Sequence, residues 1–457
     1  MRARSIALIL AVAAAAAVAV AGAMIWRPAI APIAPPAASS FDAQLVARGR
    51  ELALVGDCNV CHTRPGGVAF AGGRAIPTPF GTLYSSNITP EAQNGIGAWS
   101  EAAFIRVMRA GVRRDGQFIY PAHPYDHFTR LTDADLAALY AYVMTRSAVG
   151  SATPAPALDF PFGIRALLAG WDLLFLKQGP DRDDPTQSVE WNEGAYLVHG
   201  LGHCGACHTP RNALGAEDES RAFAGGVAEG WCAPPLNQTS PAPIPWTQAS
   251  LFNYLRTGHD AAHGVTGGPM ADVARNLADA REEDVQAIAT YVSMLMGEPS
   301  EQRDGKARAL IARIERQSDE RRRAIAAGRV TDLGEIIYAT SCAQCHEPWS
   351  SNPPQHAGRN LALQSAVSAP DAFNLIHTIL AGIHPLDNPS RTVMPDFAGA
   401  FTDAQLADLA RYVRRTFSDQ PAWEDLPGTI RAVRAGIAAQ ARQRASIATS
   451  SDQGRGK

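Results

Sequence analysis

The sequence has no excess of positive charge. Its 41 Lys and Arg against 44 Asp and Glu give a formal charge of -3 and a pI near 6.5, so nothing gathers a polyanion. Nucleic acid is therefore set aside as a partner. No glycine-rich loop follows a strand pattern, which excludes a dinucleotide-binding unit, and no nucleophile and base constellation for substrate chemistry is legible. Cysteine is scarce as well, at seven in 457 residues. Six of the seven fall into one motif used three times, and the seventh, Cys232, is assigned no role.

That motif is Cys-x-x-Cys-His, at Cys58, Cys61 and His62, at Cys204, Cys207 and His208, and at Cys342, Cys345 and His346. Two thiols at this spacing can add across the vinyl groups of one porphyrin, and the adjacent imidazole then reaches the iron from the proximal side. The bland alternatives for a Cys-x-x-Cys pair are a redox dithiol or half a zinc site. Here every copy carries the terminal His, and none has a second Cys pair at zinc-finger distance. Three covalently bound c-type haems are expected, and three haems on one chain mean electron transfer.

The motifs begin at 58, 204 and 342, so the chain reads as one fold used three times. A short helical segment approaches each motif: Phe41 to Val55, Trp191 to Leu201, and Leu333 to Thr340. An amphipathic helix closes each repeat, and an aromatic followed by Val recurs at Tyr142, Tyr291 and Tyr412. The expected division is a signal anchor over 1–27, a Pro/Ala tether over 28–40, and cytochrome domains over 41–150, 188–298 and 329–420. Between them lie a linker with an apolar patch (151–187) and a charged linker (299–328), with a tail over 421–457. The apolar patch is either a docking surface or a cover over the haem domains; the charged linker reads as a solvated helix and the tail as frayed.

A second axial ligand must fall between each motif and its closing helix. Met270, after Gly267, Gly268 and Pro269, and Met394, before Pro395, fill that place in the second and third repeats. The first repeat has no Met there. Its segment runs Tyr120, Pro121, Ala122, His123, Pro124, Tyr125, Asp126, His127, Phe128. His62 to His123 spans 61 residues and His208 to Met270 spans 62, so the register selects His123, with His127 and Met108 as rivals. The metal ligands expected are thus His62, His123, His208, Met270, His346 and Met394. His/His ligation lacks the thioether that raises a potential, so the first haem should be the most reducing.

Arg2 and Arg4 precede an apolar run from Ile6 to Trp26 that is just long enough to cross a bilayer. An uncleaved anchor is expected, with a cleaved signal peptide as the alternative. Either places the cysteines outside the cytoplasm, on the periplasmic side of the inner membrane.

The run Gly202-His203-Cys204-Gly205-Ala206-Cys207-His208-Thr209-Pro210-Arg211, with Gly230-Trp231, Ala233-Pro234 and Tyr120-Pro121-Ala122, resembles the three-haem cytochrome c subunits of membrane-bound bacterial dehydrogenases. Those of quinoprotein alcohol dehydrogenases and flavin-dependent gluconate and polyol dehydrogenases are of this kind. Finer features, Pro124 to Phe128, Arg211 to Glu217, His263-Gly264-Val265 and Gly268-Pro269-Met270, are similar to the cytochrome subunits that accompany molybdenum hydroxylases such as nicotinate, isoquinoline and aldehyde dehydrogenases. The resemblance implies an all-α chain of three tandem class I cytochrome c-like domains with an N-terminal membrane anchor. It further implies molybdopterin and iron-sulfur partner subunits, an acceptor that is quinone or a terminal oxidase chain, and an electron carrier rather than a substrate site. A haem enzyme with one open iron is the reading from another class.

Overall fold

The computed structural model describes residues 25–297, 300–347, 360–383 and 394–453, together with Ile6, Val12 and Gly22. It contains two compact units: residues 1–183 with 199–203 and 213–216, and residues 184–198, 204–212 and 217–457.

In the first unit the approach helix, Ala43–Val55, starts on Asp42, whose carboxylate accepts from the N–H groups of Gln44 and Leu45 at 2.9 and 3.0 Å. The closing helix, Asp133–Met144, starts on Thr132, whose hydroxyl accepts from the Asp135 N–H at 3.1 Å. The two cross at Gly49. A Cβ there would lie 2.0 Å from the Ala138 carbonyl oxygen and 2.7 Å from the Tyr142 Cβ, so only glycine admits this approach. Arg48 ties the same crossing to Asp135 at 3.1 Å.

The second unit repeats the crossing twice. Val189–His199 meets Glu282–Leu295 at Gly194, 2.1 Å from the Ala287 oxygen for a Cβ placed there and 2.8 Å from the Tyr291 Cβ. Leu333–Ser341 meets Asp403–Phe417 at Gly334, 2.2 Å from the Asp408 oxygen and 2.9 Å from the Tyr412 Cβ. The tyrosine repeated in the sequence is thus the partner of a repeated glycine.

The expectation of an all-α chain is corrected, and no described helix bears out the membrane anchor. Among the described residues three small antiparallel sheets join the helices: Ala75–Thr78 with Gly81–Tyr84 and Ala157–Leu158, Gly226–Ala228 with Trp231–Ala233, and His259–Asp260 with Gly264–Val265. Their strands are two to four residues long and run through left-handed glycines such as Gly81 (φ 116°) and Gly230 (φ 78°), so they leave little periodicity to read. Among the described residues no helix is long and apolar enough to cross a membrane. Most of Ile6 to Trp26 lies outside the described residues.

The linkers are packed structures. In the first unit the helix Leu168–Phe175 buries Leu168 and Ala169 against Val112 and Phe118, and Trp171 against Tyr125 and Ala216, while Leu173 and Leu174 face out. It covers the first domain, and the Tyr125 hydroxyl donates to Asp172 at 2.7 Å. The segment after Trp26 also lies on that domain, with Arg106 donating to the Pro28 carbonyl at 2.6 Å and Arg114 to that of Ile30 at 3.1 Å. In the second unit the charged helix Glu301–Ala326 is not fully solvated. It buries Ala307, Leu310, Ile314, Ser318 and Arg321, one narrow stripe at three- and four-residue spacing, against the third domain. The tail begins as an ordered helix, Leu426–Gln453, whose Leu426, Ile430 and Val433 join the same core.

Candidate functional site

The first two approach helices deliver their motifs through a left-handed residue, and the third runs into its motif directly. In the first site Asp57 turns left-handed (φ 51°) before the helical turn Cys58–Cys61; in the second His203 does so (φ 38°) before Cys204 and the turn Gly205–His208. In the third Ala343–His346 follows Cys342 directly. The two sulfurs and the imidazole of each motif therefore emerge from one turn, as a single porphyrin requires.

The proximal imidazoles are oriented from behind. His62 Nδ1 lies 2.7 Å from the Ser86 carbonyl oxygen, and His208 Nδ1 lies 2.6 Å from that of Pro234. A carbonyl only accepts, so Nδ1 carries the proton and Nε2 keeps its lone pair for a metal. Burial lowers the pKa of both rings, which keeps them neutral and able to ligate. A second pair of bonds frames each motif. The Gly72 N–H donates to the His62 carbonyl at 2.7 Å, and the Gly225 N–H to that of His208 at 2.8 Å. The hydroxyl of the next residue, Thr63 or Thr209, accepts from the N–H of a left-handed phenylalanine, Phe70 (φ 63°) or Phe223 (φ 56°), at 3.1 and 3.0 Å. Sequence reasoning passed over these threonines, although His-Thr follows Cys-x-x-Cys in both repeats.

In the third site the next residue is Glu347, with a fully buried carboxylate. Arg321 of the linker helix binds it through two nitrogens at 2.9 and 3.2 Å, with Ser318 donating at 2.5 Å and Tyr338 at 3.1 Å.

On the distal side of the first site the structure brings His123 to His62. The ring centres are 6.4 Å apart at 75°. An imidazole nitrogen binds a metal at about 2.0–2.1 Å, and with about 1.2 Å from nitrogen to ring centre, two rings trans on one iron stand about 6.4 Å apart. The buried His123 Nε2 has no hydrogen-bond partner, and burial, with His62 and His203 adding to it, pushes His123 down to about 3. It is an orphaned lone pair on a neutral ring. The two rivals are placed otherwise. The His127 ring is buried and faces His203, not His62, at 6.4 Å and 73°, and Met108 is buried with Ala103 and Phe104 on the helix Glu101–Ala110.

Met270 sits half-buried in the first turn of the helix Pro269–Asp279, after Gly268 in a left-handed conformation (φ 57°). Met394 is half-buried against the third core and exchanges two backbone hydrogen bonds with Ile383, at 2.8 and 3.1 Å. His263 and His377 are buried and hydrogen-bonded, while His356 and His384 lie outside the described residues.

The thiols argue against a redox dithiol. Burial, ahead of the neighbouring sulfur, pushes Cys58 and Cys342 up to about 12, where disulfide exchange would need a lowered value.

Known proteins agree with this architecture. The sequence matches the cytochrome c family over residues 46–147 and cytochrome c oxidase, cbb3-type, subunit III over residues 329–413. It is 44% identical over 417 residues to a nicotinate dehydrogenase subunit of Pseudomonas putida, covering 91% of this chain and 34% of that one. It thus spans about a third of that relative's length. The fructose dehydrogenase cytochrome subunit of Gluconobacter japonicus is 35% identical, with 85% of this chain and 82% of that one covered. The cytochrome c subunit of the quinone-dependent alcohol dehydrogenase of Gluconobacter oxydans is 32% identical, with 86% and 82% covered. The chain belongs to the family of cytochrome c subunits of dehydrogenases, electron-transfer proteins that hold c-type haem covalently.

Proposed function

We propose that the chain holds three haems, one on each Cys-x-x-Cys-His motif, in domains 41–150, 188–298 and 329–420. When bound, the irons would be held by His62 with His123, His208 with Met270, and His346 with Met394. Haem, when bound, supplies a reversible one-electron change at its iron. The protein's own residues tether it by six thiols, fix the proximal rings through the Ser86 and Pro234 carbonyls, and exclude water by burial. The observation that carries the reading is the 6.4 Å separation of the His62 and His123 rings around an unpartnered Nε2. It favours a closed, six-coordinate carrier over an enzyme with an open iron. Intact mass with a pyridine haemochrome assay should give three haems per chain, and the reduced protein should leave carbon monoxide largely unbound. Two equivalents, or a stoichiometric carbon monoxide complex, would overturn it.

The electrons come from a partner dehydrogenase of the molybdenum-hydroxylase type, with molybdopterin and iron-sulfur subunits, and leave to quinone or a terminal oxidase chain. The 44% identity to a nicotinate dehydrogenase subunit supports this. A second reading, a quinoprotein or flavoprotein partner, draws on the relatives whose own length is covered to 82%. Purification of the intact complex separates the two: molybdenum and iron-sulfur content supports the first, bound flavin or pyrroloquinoline quinone the second. The haem domains act on the periplasmic side, as the arginines ahead of the apolar run support. Protease accessibility in spheroplasts tests it.

A further inference from the structure

Within the second unit one aromatic pair adjoins the supports of the second site and stands on the helix that leads to those of the third. Trp231 stacks on His377, with ring centres 4.0 Å apart and planes inclined by 16°. The indole also lies against Gly267 and Gly268, the latter two residues before Met270; a Cβ on Gly268 would sit 2.5 Å from the indole nitrogen. The strand Trp231–Ala233 runs into Pro234, whose carbonyl holds His208. Trp231 therefore adjoins both the proximal and the distal supports of the second site. His377 stands on the helix Phe373–Ala381, which ends at Gly382 and Ile383, the residue paired through its backbone with Met394.

The pair is locked in place from both ends. The Asn374 amide donates to the Cys232 carbonyl at 2.7 Å and accepts from the Cys232 N–H at 3.0 Å, so a side chain serves this strand as a further ladder partner. His377 Nδ1 donates to the Gly230 carbonyl at 3.1 Å. Burial lowers the His377 pKa, which leaves the ring neutral and keeps a positive charge out of the packed interior.

From this geometry we propose that Trp231 and His377 form the electronic bridge between the second and third haems, a positioning role that rests on the ligand assignment given above. With haem bound at both motifs, the two rings would lie on the route of a single electron passed from the second site to the third. No bond forms or breaks, and neither ring gains or loses a proton. The stacked rings give packed aromatic matter along part of the path between the two sites, and tunnelling decays less steeply through packed protein than through water.

The test uses the full-length haem-loaded protein with Trp231→Leu, Trp231→Phe and Asn374→Leu. Electron redistribution after flash reduction, the midpoint potentials, and backbone hydrogen exchange over residues 230–233 are measured on each. Trp231→Leu should slow one redistribution phase several-fold, by more than any accompanying change in midpoint potential accounts for, and Trp231→Phe should slow it less. An unchanged rate in Trp231→Leu with exchange still protected overturns the proposal. If Trp231→Leu also loosens the strand, Asn374→Leu decides, because it loosens the strand and keeps both rings: a rate equal to that of Trp231→Leu overturns the bridge, and a faster one upholds it. Failure of the ligand assignment shows separately, as a missing haem or an open iron in the unsubstituted protein.

Discussion

The first two Cys-x-x-Cys-His motifs and the third are framed by different means. At the position after the proximal His, Thr63 and Thr209 each hold a left-handed phenylalanine of their own loop, whereas Glu347 reaches out of its domain core to Arg321 on the preceding linker helix. The first arrangement is local and neutral. The second is long-range and charged, and its carboxylate is fully buried. A repeated motif thus fixes which atoms meet the cofactor, while the residue beside it decides what else the site depends on.

The sharpest way to break this contrast is Arg321→Met. It leaves Glu347 buried with hydroxyl partners and no cation, and removing one member of a buried pair costs about 3–5 kcal/mol. Denaturant unfolding should show the third domain melting early and the first two unmoved. Thr63→Val and Thr209→Val probe the local version: each strands one backbone N–H, at about 1–3 kcal/mol, and each should affect only its own site. An equal loss from all three substitutions would erase the distinction.

Where the three sites agree, substitution should act alike. Gly49→Ala, Gly194→Ala and Gly334→Ala each drive a Cβ to within 2.0–2.2 Å of a carbonyl oxygen, and overpacking of this kind costs about 1–3 kcal/mol. Thermal melts of the three variants should shift by similar amounts. The distal side should again separate the sites. His123→Met should raise one of the three midpoint potentials and leave the others nearly unchanged, while His127→Ala should do little. Spectroelectrochemistry reads both.

The smallest expected effect belongs to the cover of the first domain. Burial raises Asp172 to about 6, against the opposing hydrogen bond from Tyr125. A carboxyl whose folded pKa lies above its unfolded value binds more protons when folded, so its contribution falls as pH rises from about 4 to about 6. Asp172→Asn should flatten that slope in thermal melts, and an unaltered slope would place the dependence elsewhere.

Much of this was legible in the sequence because covalent attachment demands contiguous residues. Cys-x-x-Cys-His cannot be spread over the fold, and the 61- and 62-residue spacings carried the register to His123, which the structure sets 6.4 Å from His62. Gly49, Gly194 and Gly334 were harder to see, since a glycine on a helix announces a close approach only once its partner is known. The linker helix was misread because its apolar stripe is narrow and its charges dominate any average. The sheets were missed because strands of two to four residues hold no full alternation. The membrane anchor rests on the apolar run with Arg2 and Arg4 ahead of it, and most of that run lies outside the described residues.

The Arg321–Glu347 latch also bears on how such chains are inherited. The cytochrome match to the third repeat begins at residue 329, yet the cation that neutralises its core lies eight residues upstream. A gene fragment cut at that boundary would encode every haem ligand of the repeat and still leave an uncompensated charge inside it. The transferable module is the repeat together with its leading helix from Glu301, so recombination that keeps the two together would be favoured over recombination that divides them.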